Sequence, residues 1–115
     1  MSPSSKREVS ILVIGSEVTH GYVSDTNTGF IASELFKLGI PVKKVITIPD
    51  DKVQIISALK ELIRSGSFII TTGGLGPTDD DLTVNCLCSL LKTSPVYSRP
   101  CLNKIRKMAA INKKD

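Results

Sequence analysis

Residues 71–83 read TTGGLGPTDDDLT and combine two kinds of residue that could act on one ligand. The glycines of residues 73–76 let the backbone approach a bound group closely, and free N–H groups in such a loop suit an anion. The aspartates at residues 79–81 would repel that anion unless a divalent cation lies between them. Mg²⁺ commonly binds one or two carboxylates together with substrate phosphates. The stretch therefore predicts metal-assisted phosphate binding, with a solvated acidic turn as the alternative.

This loop matches neither of the two commonest phosphate-binding motifs. A P-loop requires Gly-Lys-Ser/Thr, and the dinucleotide fingerprint requires a third glycine where Asp79 stands. What remains is a strand-to-helix turn with Asp79–Asp81 in the first helical turn. One aspartate there would stabilise the helix dipole, whereas three clustered carboxylates repel one another. Helix capping alone therefore explains the cluster poorly.

Further polar residues follow the other predicted strands. Asp50 and Asp51 follow the second strand, where either could be an extra metal ligand or a water-activating base. Glu17, Asp25 and Asn27 lie after the first strand, and ordinary turn chemistry explains them equally well. Ligands of open parallel sheets lie beyond the carboxyl ends of the strands. We therefore expect these segments to converge on one site.

The elements that would position these residues alternate along the chain. Continuous apolar runs predict buried strands at Val9–Gly15, Val42–Ile48 and Ser67–Thr72, and residues 15–28 are predicted to be a loop. Apolar residues at helical spacing predict four helices. The first begins at Asn27 and carries an apolar stripe of Phe30, Ile31, Leu35 and Leu38; the second runs from Asp51 to Gly66. The third covers Leu82–Leu91, and a short fourth covers 102–109 after chain breaks at Pro95 and Pro100. Such alternation predicts an α/β fold of right-handed βαβ units with a parallel sheet.

The charge of the chain is unevenly distributed. The 115 residues carry a formal net charge of +4, yet residues 92–115 hold seven basic residues and one acidic residue. The basic character therefore belongs to the tail, and a solvated helix face explains it better than a nucleic-acid site, because no recognition motif accompanies it. No apolar run is long enough for a membrane span or a signal peptide, so the expected location is the cytoplasm.

The cysteines and the histidine carry no recognisable metal-ligand spacing. Cys86 and Cys88 are two residues apart in a predicted helix and therefore point to different faces. We interpret these two and Cys101 as reduced structural thiols. His20 is interpreted as a loop residue.

Three segments together resemble one known family. GSEVTHGYVSDTNTGFIASELFKLGIPV, TIPDD and TTGGLGPTDDDLT are similar to the N-terminal domain of the CinA family, which belongs to the wider MoaB/Mog molybdopterin-binding superfamily. The resemblance runs from about Glu8 to Leu91. It implies a three-layer, doubly wound, mainly parallel sheet. It also implies a domain over residues 8–115 that is truncated at its C-terminus, after a disordered segment at 1–7.

The resemblance further implies a ligand and a set of site residues. Superfamily members bind or adenylylate molybdopterin with Mg²⁺, and CinA-type domains are associated with hydrolysis of the ADP-ribose pyrophosphate. Asp81 and Asp50 resemble the paired functional aspartates, as catalytic residues and metal ligands. The positions that match the ligand-binding pattern are Gly73, Gly74, Gly76, Thr78, Asp80, Glu17 and Asn27. We thus expect a small phosphorylated ligand, Mg²⁺ and a homo-oligomer. The leading hypothesis is Mg²⁺-assisted hydrolysis of a nucleotide pyrophosphate such as ADP-ribose; the alternatives are a molybdopterin-binding module that does not hydrolyse its ligand, and an inactive fragment.

Overall fold

The computed structural model describes residues 8–21 and 24–113; the segment 1–7, predicted to be disordered, lies outside them. Three strands are present in the described chain: β1 (Val9–Ile14), β2 (Val42–Ile48) and β3 (Phe68–Thr72). Five helices accompany them: α1 (Ser16–Thr19), α2 (Asn27–Lys37), α3 (Lys52–Arg64), α4 (Thr83–Leu91) and α5 (Arg99–Lys113). The order of strands and helices confirms the predicted α/β class.

The three strands form one parallel sheet in the order β2-β1-β3. Val13 of the central strand pairs with Thr72 of β3, and Ile14 pairs with Ile48 of β2. All three strands therefore end at the same edge of the sheet. The segments that follow them, which carry the predicted site residues, begin at this carboxyl edge.

The core lies between the sheet and the helices α3 and α4. Every residue of β1 is buried, as predicted for a strand covered on both faces. Leu12 and Ile14 point to α3, whose Ile55, Leu59 and Leu62 recur at helical spacing and are also buried. Full burial of one such side chain stabilises the fold by about 1.5–3 kcal/mol. The N-cap of α3 is Asp51, as predicted, and its side chain accepts a hydrogen bond of 3.1 Å from the N–H of Gln54.

The helix α2 covers the opposite face of the sheet. The chain moves from β1 to one neighbour and then crosses to the other, so right-handed crossovers place α2 and α3 on opposite sides. This gives the predicted three-layer, doubly wound arrangement. Ile31 and Leu35 of the predicted stripe are half-buried, whereas Phe30 and Leu38 are 60% and 74% exposed. Only part of this apolar stripe is therefore buried, because α2 packs mainly on the edge strand β2.

Three local predictions are wrong. Residues 15–28 are not all loop, because α1 forms directly after β1 and α2 begins at Asn27. The last helix is longer than predicted. Pro100 does not break the chain before this helix but lies in the helix's first turn, where the missing N–H of proline costs no intrahelical bond.

In the described part of the chain, no helix is long and apolar enough to cross a membrane.

Candidate functional site

The ends of β1 and β2 are joined by Ser16 and Asp50. The N–H of Ser16 donates to Oδ2 of Asp50 at 3.1 Å, and the N–H of Asp50 donates to Oγ of Ser16 at 3.0 Å. A bond of 2.9 Å from the N–H of Gly15 to the carbonyl of Ile48 extends the strand pairing to this point. The reciprocal bonds fix the backbone of Asp50 at the carboxyl edge and orient its carboxylate towards the first turn of α1.

The glycines after β3 are required by close packing as well as by backbone angle. Gly73 has φ of 92°, and a Cβ there would lie 1.9 Å from the carbonyl oxygen of Ile14. Gly74 has φ of 68°, and a Cβ there would lie 2.1 Å from Oγ1 of Thr83. Both angles lie in the left-handed region that glycine adopts without strain. These two glycines therefore let the loop pass directly over the end of β1 and against α4.

Thr83 anchors the start of α4. It is fully buried, its Oγ1 donates a bond of 2.8 Å to the carbonyl of Gly73, and its N–H lies 3.3 Å from the carbonyl oxygen of Gly74. The helix consequently begins at Thr83, and the prediction that Asp79–Asp81 occupy its first turn is wrong. Those aspartates lie in the turn before the helix, and no side chain caps α4.

Asp81 closes the turn that precedes α4. Its Oδ2 accepts hydrogen bonds from the N–H of Thr78 at 3.0 Å and from the Thr78 hydroxyl at 2.7 Å. Its own N–H donates to the Thr78 carbonyl at 3.0 Å. The Thr78 hydroxyl, the Thr78 amide and the amide of Gly76 together hold the pKa of Asp81 below its ordinary value of 3.8. The carboxylate is therefore ionised at neutral pH.

A cavity of about 330 Å³ lies between this turn and the N-terminal end of α4. It is lined by Gly74, Leu75, Gly76, Pro77, Thr78, Asp79, Asp81, Val84 and Asn85. The volume is at the lower end of the range for ligand sites and suits part of a ligand, such as a phosphate group. The lining carries two carboxylates and no Lys, Arg or His.

The first turn of α4 has backbone amides that the helix does not use, at residues that line this cavity. The first intrahelical bond runs from the N–H of Cys86 to the carbonyl of Leu82, at 2.9 Å. The amides of Val84 and Asn85 precede it, so the helix does not use them. A helix N-terminus with free N–H groups attracts anions. The residues that line the cavity thus include two with unused helix N-terminal amides, Val84 and Asn85, and one ionised carboxylate, Asp81.

Comparison with known proteins agrees with this geometry. The family model described as "Probable molybdopterin binding domain" matches residues 10–112. The chain belongs to this molybdopterin-binding domain family. It is also similar to the CinA-like protein of Cytophaga hutchinsonii, at 38% identity over 90% of this chain and 27% of that protein, and to the CinA-like protein of Leptospira interrogans serovar Lai, at 42% identity over 79% and 23%. The chain spans about a quarter of the length of these relatives.

Solved structures show the same fold. The protein CinA of Thermoplasma acidophilum superimposes with a TM-score of 0.80 at 27% identity, over 93% of this chain and 63% of that one. The molybdopterin biosynthesis enzyme MoaB of Thermus thermophilus gives a TM-score of 0.67 at 27% identity, over 73% and 54%. The predicted resemblance to the CinA and MoaB/Mog proteins is thereby confirmed.

Within the molybdopterin-binding domain, only some of the predicted site residues share the cavity. Gly74, Gly76, Thr78 and Asp81 line it. The other predicted residues lie outside the lining: Gly73, Asp80, Asp50, Glu17 and Asn27.

Asp25 forms the local hydrogen bonds of a turn, which is one of the two interpretations that the sequence left open. Its carboxylate accepts from the N–H of Thr28 at 3.2 Å and from the hydroxyl of Thr28, inside the first turn of α2. It therefore stabilises the start of a helix in this structure.

The residues present fit Mg²⁺ only together with a ligand. In the described ranges 8–21 and 24–113, no three His, Cys, Asp or Glu side chains are grouped closely enough to hold a metal ion. Asp81 offers one ionised carboxylate at the cavity. That donor set matches Mg²⁺, which usually takes one or two carboxylates and completes its coordination with substrate phosphates and water.

Three residues with a part in the site were missed from the sequence. Val84 and Asn85 line the cavity directly after Thr83, and placing the helix start at Thr83 would have put them in the first turn. Ser16 holds Asp50, and its position directly after Gly15 at the end of β1 was the available signal.

The thiols differ in burial, as the predicted opposite faces of α4 require. Cys86 is buried in the core, Cys88 is half-buried, Cys101 is exposed, and all three are free. Burial raises the pKa of the Cys86 thiol. None of the three lines the cavity, and neither does His20, which directly follows α1.

Proposed function

We propose that this domain binds a phosphate-bearing small ligand in the cavity beside Asp81 and, with Mg²⁺, hydrolyses a nucleotide pyrophosphate such as ADP-ribose. The observation that carries the proposal is that one cavity is lined both by Val84 and Asn85, whose backbone amides the helix leaves free, and by Asp81. The amides suit a phosphate oxygen, whereas the carboxylate requires a cation beside it.

The chain's own residues would divide the work as follows. The amides of the first turn of α4 would bind a phosphate oxygen, and the turn at 76–81 would hold Asp81 in place through Thr78. Bound Mg²⁺ would neutralise phosphate oxygens and polarise the phosphorus for attack. Asp81 would be its ligand, and Asp50 would be a second ligand or accept a proton from the attacking water. Water oxygen bonds to one phosphorus as the bridging P–O bond breaks, giving AMP and ribose 5-phosphate.

Product analysis tests this proposal. Incubation of the chain with ADP-ribose and Mg²⁺ should release AMP, and chelation of Mg²⁺ should stop the release. Asp81→Asn should lower the rate by roughly a hundredfold or more, the effect typical of a lost catalytic group. Asp80→Asn is the matched control, because Asp80 lies in the same turn but outside the cavity lining and accepts no bond from Thr78. An unchanged rate in Asp81→Asn overturns the role of Asp81.

The second candidate function is molybdopterin binding without hydrolysis. The description of the family that matches residues 10–112 favours it, as does the similarity to the MoaB enzyme of Thermus thermophilus. Release of no AMP by the wild-type chain, together with tight binding of molybdopterin, would select this candidate. The cytoplasmic location stays a prediction from the sequence.

A further inference from the structure

The helix α5 lies apart from the packed part of the chain. Of the helices in the described residues, it is the one that makes no extensive contact with a strand or with another helix. Between residues 99 and 111, the side chain of Leu102 is half-buried and all the others are exposed. The ion pairs of the described chain do not involve α5 either, since their basic partners are Lys37, Lys43 and Lys44. Nearly the whole surface of α5 is therefore open to a partner.

This open surface is divided into an apolar side and a basic side. Four apolar residues fall within roughly 120° around the helix axis, and we call them the apolar stripe: Leu102, Ile105, Met108 and Ala109. Four exposed basic residues lie outside this arc: Arg99, Lys104, Arg106 and Lys107. Ile105 and Met108 of the stripe are 61% and 57% exposed, and Ile111, which is 65% exposed, lies on the basic side. The helix is thus amphipathic, and its apolar side is not packed against the fold.

The positive charge of the chain is concentrated at this end. Residues 1–91 carry eight basic and ten acidic residues, whereas residues 92–115 carry seven basic and one acidic. A solvated helix face, as interpreted from the sequence, accounts for the charge but not for the exposed apolar stripe, whose burial would be favourable. A partner that accounts for both must offer negative charge and apolar surface together.

The segment that leads into α5 adds further exposed apolar surface. Val96 and Tyr97 are 89% and 94% exposed, and with Pro95 they line a surface crevice of about 410 Å³. Tyrosine is enriched where a membrane meets water, because its ring is apolar and its hydroxyl is polar. The helix and the segment before it therefore both carry residue types that suit a lipid–water interface.

We propose that α5 and residues 95–97 bind the surface of an anionic lipid membrane. Such a surface offers negatively charged headgroups with hydrocarbon directly beneath them, so it matches both sides of the helix. A nucleic-acid duplex offers the charge in its phosphates but no apolar layer for the stripe. With 15 residues, α5 is shorter than the roughly 20 that a membrane span needs, so it lies in the plane of the surface. The Lys and Arg side chains reach up to the headgroups while the stripe faces the acyl chains.

Flotation of the 115-residue chain with lipid vesicles tests the proposal without ligand or Mg²⁺, so its result is independent of the proposed function. At low salt the chain should float with phosphatidylcholine vesicles that contain about 40% phosphatidylserine, and not with phosphatidylcholine alone. About 0.5 M sodium chloride should weaken the binding strongly, because the Debye length falls to about 4 Å. Absence of flotation with the anionic vesicles, or equal flotation with neutral ones, overturns the proposal.

Charge reversal locates the contact on α5. Arg106→Glu with Lys107→Glu should lower the partition of the chain onto anionic vesicles by roughly tenfold or more. The matched control is Lys60→Glu with Arg64→Glu, which changes the net charge equally on exposed positions of α3 and should bind nearly as well as the wild type. Circular dichroism checks that each variant keeps its helices. Equal losses in the two double variants would show that net charge alone acts, and would overturn the role of α5.

A second pair of variants tests the apolar stripe at constant charge. Ile105→Ser should weaken vesicle binding by roughly tenfold, because it removes apolar surface that the membrane would bury. Ile111→Ser is the matched control, since it makes the same change in the same helix, at similar exposure but outside the stripe. Wild-type binding by Ile105→Ser overturns the proposal. So does tighter binding to a short DNA duplex than to anionic vesicles, which would assign α5 to nucleic acid.

Fluorescence gives the orientation of α5 on the vesicle. The chain contains no Trp, so a single introduced Trp reports on its own position. The emission of Met108→Trp should shift to the blue when anionic vesicles are added, whereas that of Ile111→Trp should stay close to its value in water. Equal shifts in the two variants, or no shift in Met108→Trp, would overturn an α5 that turns its apolar stripe to the hydrocarbon.

Discussion

Thr78 donates two hydrogen bonds to one carboxylate oxygen of Asp81, from its amide at 3.0 Å and from its hydroxyl at 2.7 Å. The residue proposed to hold the metal is therefore also the residue that closes the loop. Because Asp81 is fixed from within the turn, its carboxylate is already oriented before a ligand arrives. Binding then needs less ordering of the loop.

Asp81→Asn should change how stability depends on pH. The hydrogen bonds from Thr78 lower the pKa of the folded-state carboxyl below 3.8, so the stabilisation is fully present above that value and is lost as the pH falls below it. The wild type should exceed the variant in free energy of unfolding at neutral pH, and the difference should shrink in the acid range. Urea unfolding across pH measures it. If the difference in unfolding free energy between wild type and variant stays constant with pH, the hydrogen bonds from Thr78 do not depend on an ionised Asp81, which contradicts the structure.

Gly73→Ala should destabilise the chain more than Gly66→Ala. Both glycines have positive φ, of 92° for Gly73 and 77° for Gly66. An alanine in this left-handed conformation lowers the free energy of unfolding by about 1–2 kcal/mol at either position. A Cβ at Gly66 meets nothing within 4 Å, whereas one at Gly73 would overlap the carbonyl oxygen of Ile14. Urea unfolding of the two variants compares them directly. Equal losses would show that the loop does not pass over β1 as closely as described.

Thr83→Val should cost about 1–3 kcal/mol of unfolding free energy, because it removes the buried hydroxyl that donates to the carbonyl of Gly73. Thr19→Val is the matched control: its hydroxyl also donates to a carbonyl, that of Gly15, but Thr19 is exposed. Water can replace the lost bond there, so the control should cost well under half as much. Similar losses at both sites would contradict the anchoring role of Thr83.

The three thiols should react with a water-soluble disulfide reagent in the order of their exposure. Cys101 is exposed and should react first, Cys88 more slowly, and Cys86 only when the core opens. Burial also raises the pKa of the Cys86 thiol, which lowers its reactive thiolate fraction. Mass spectrometry of timed samples gives the order. Early labelling of Cys86 in the native chain would contradict its placement in the core.

The sequence predicted the strands closely because each is a continuous apolar run. Val42–Ile48 agrees at both ends, and the other two differ by one residue at one end. The capped helix α3 was likewise predicted, because Asp51 and Gly66 mark its limits locally. What the sequence could not supply was the start of α4. Thr83 bonds to a glycine ten residues earlier, so the helix start depends on how the loop folds.

The sequence predicted several residues of the candidate site but not how they are arranged in space. The glycines and Asp81 were identified because their residue types are unusual together. Asp50 was expected beside Asp81, yet it lies outside the cavity lining and bonds to Ser16. Only the path of the loop over β1 decides which strand-end residues share a cavity.

Localisation of a bound ligand tests the central claim most directly. Amide resonances of a ¹⁵N-labelled chain would be followed during titration with ADP-ribose in the presence of Mg²⁺, with the Asp81→Asn variant and a Mg²⁺-free sample alongside. We predict saturable shifts at the amides of Gly76, Val84 and Asn85 that vanish without Mg²⁺ and weaken strongly in Asp81→Asn. Shifts confined to residues outside the cavity, or no shifts with either ADP-ribose or molybdopterin, would contradict a phosphate site at this loop.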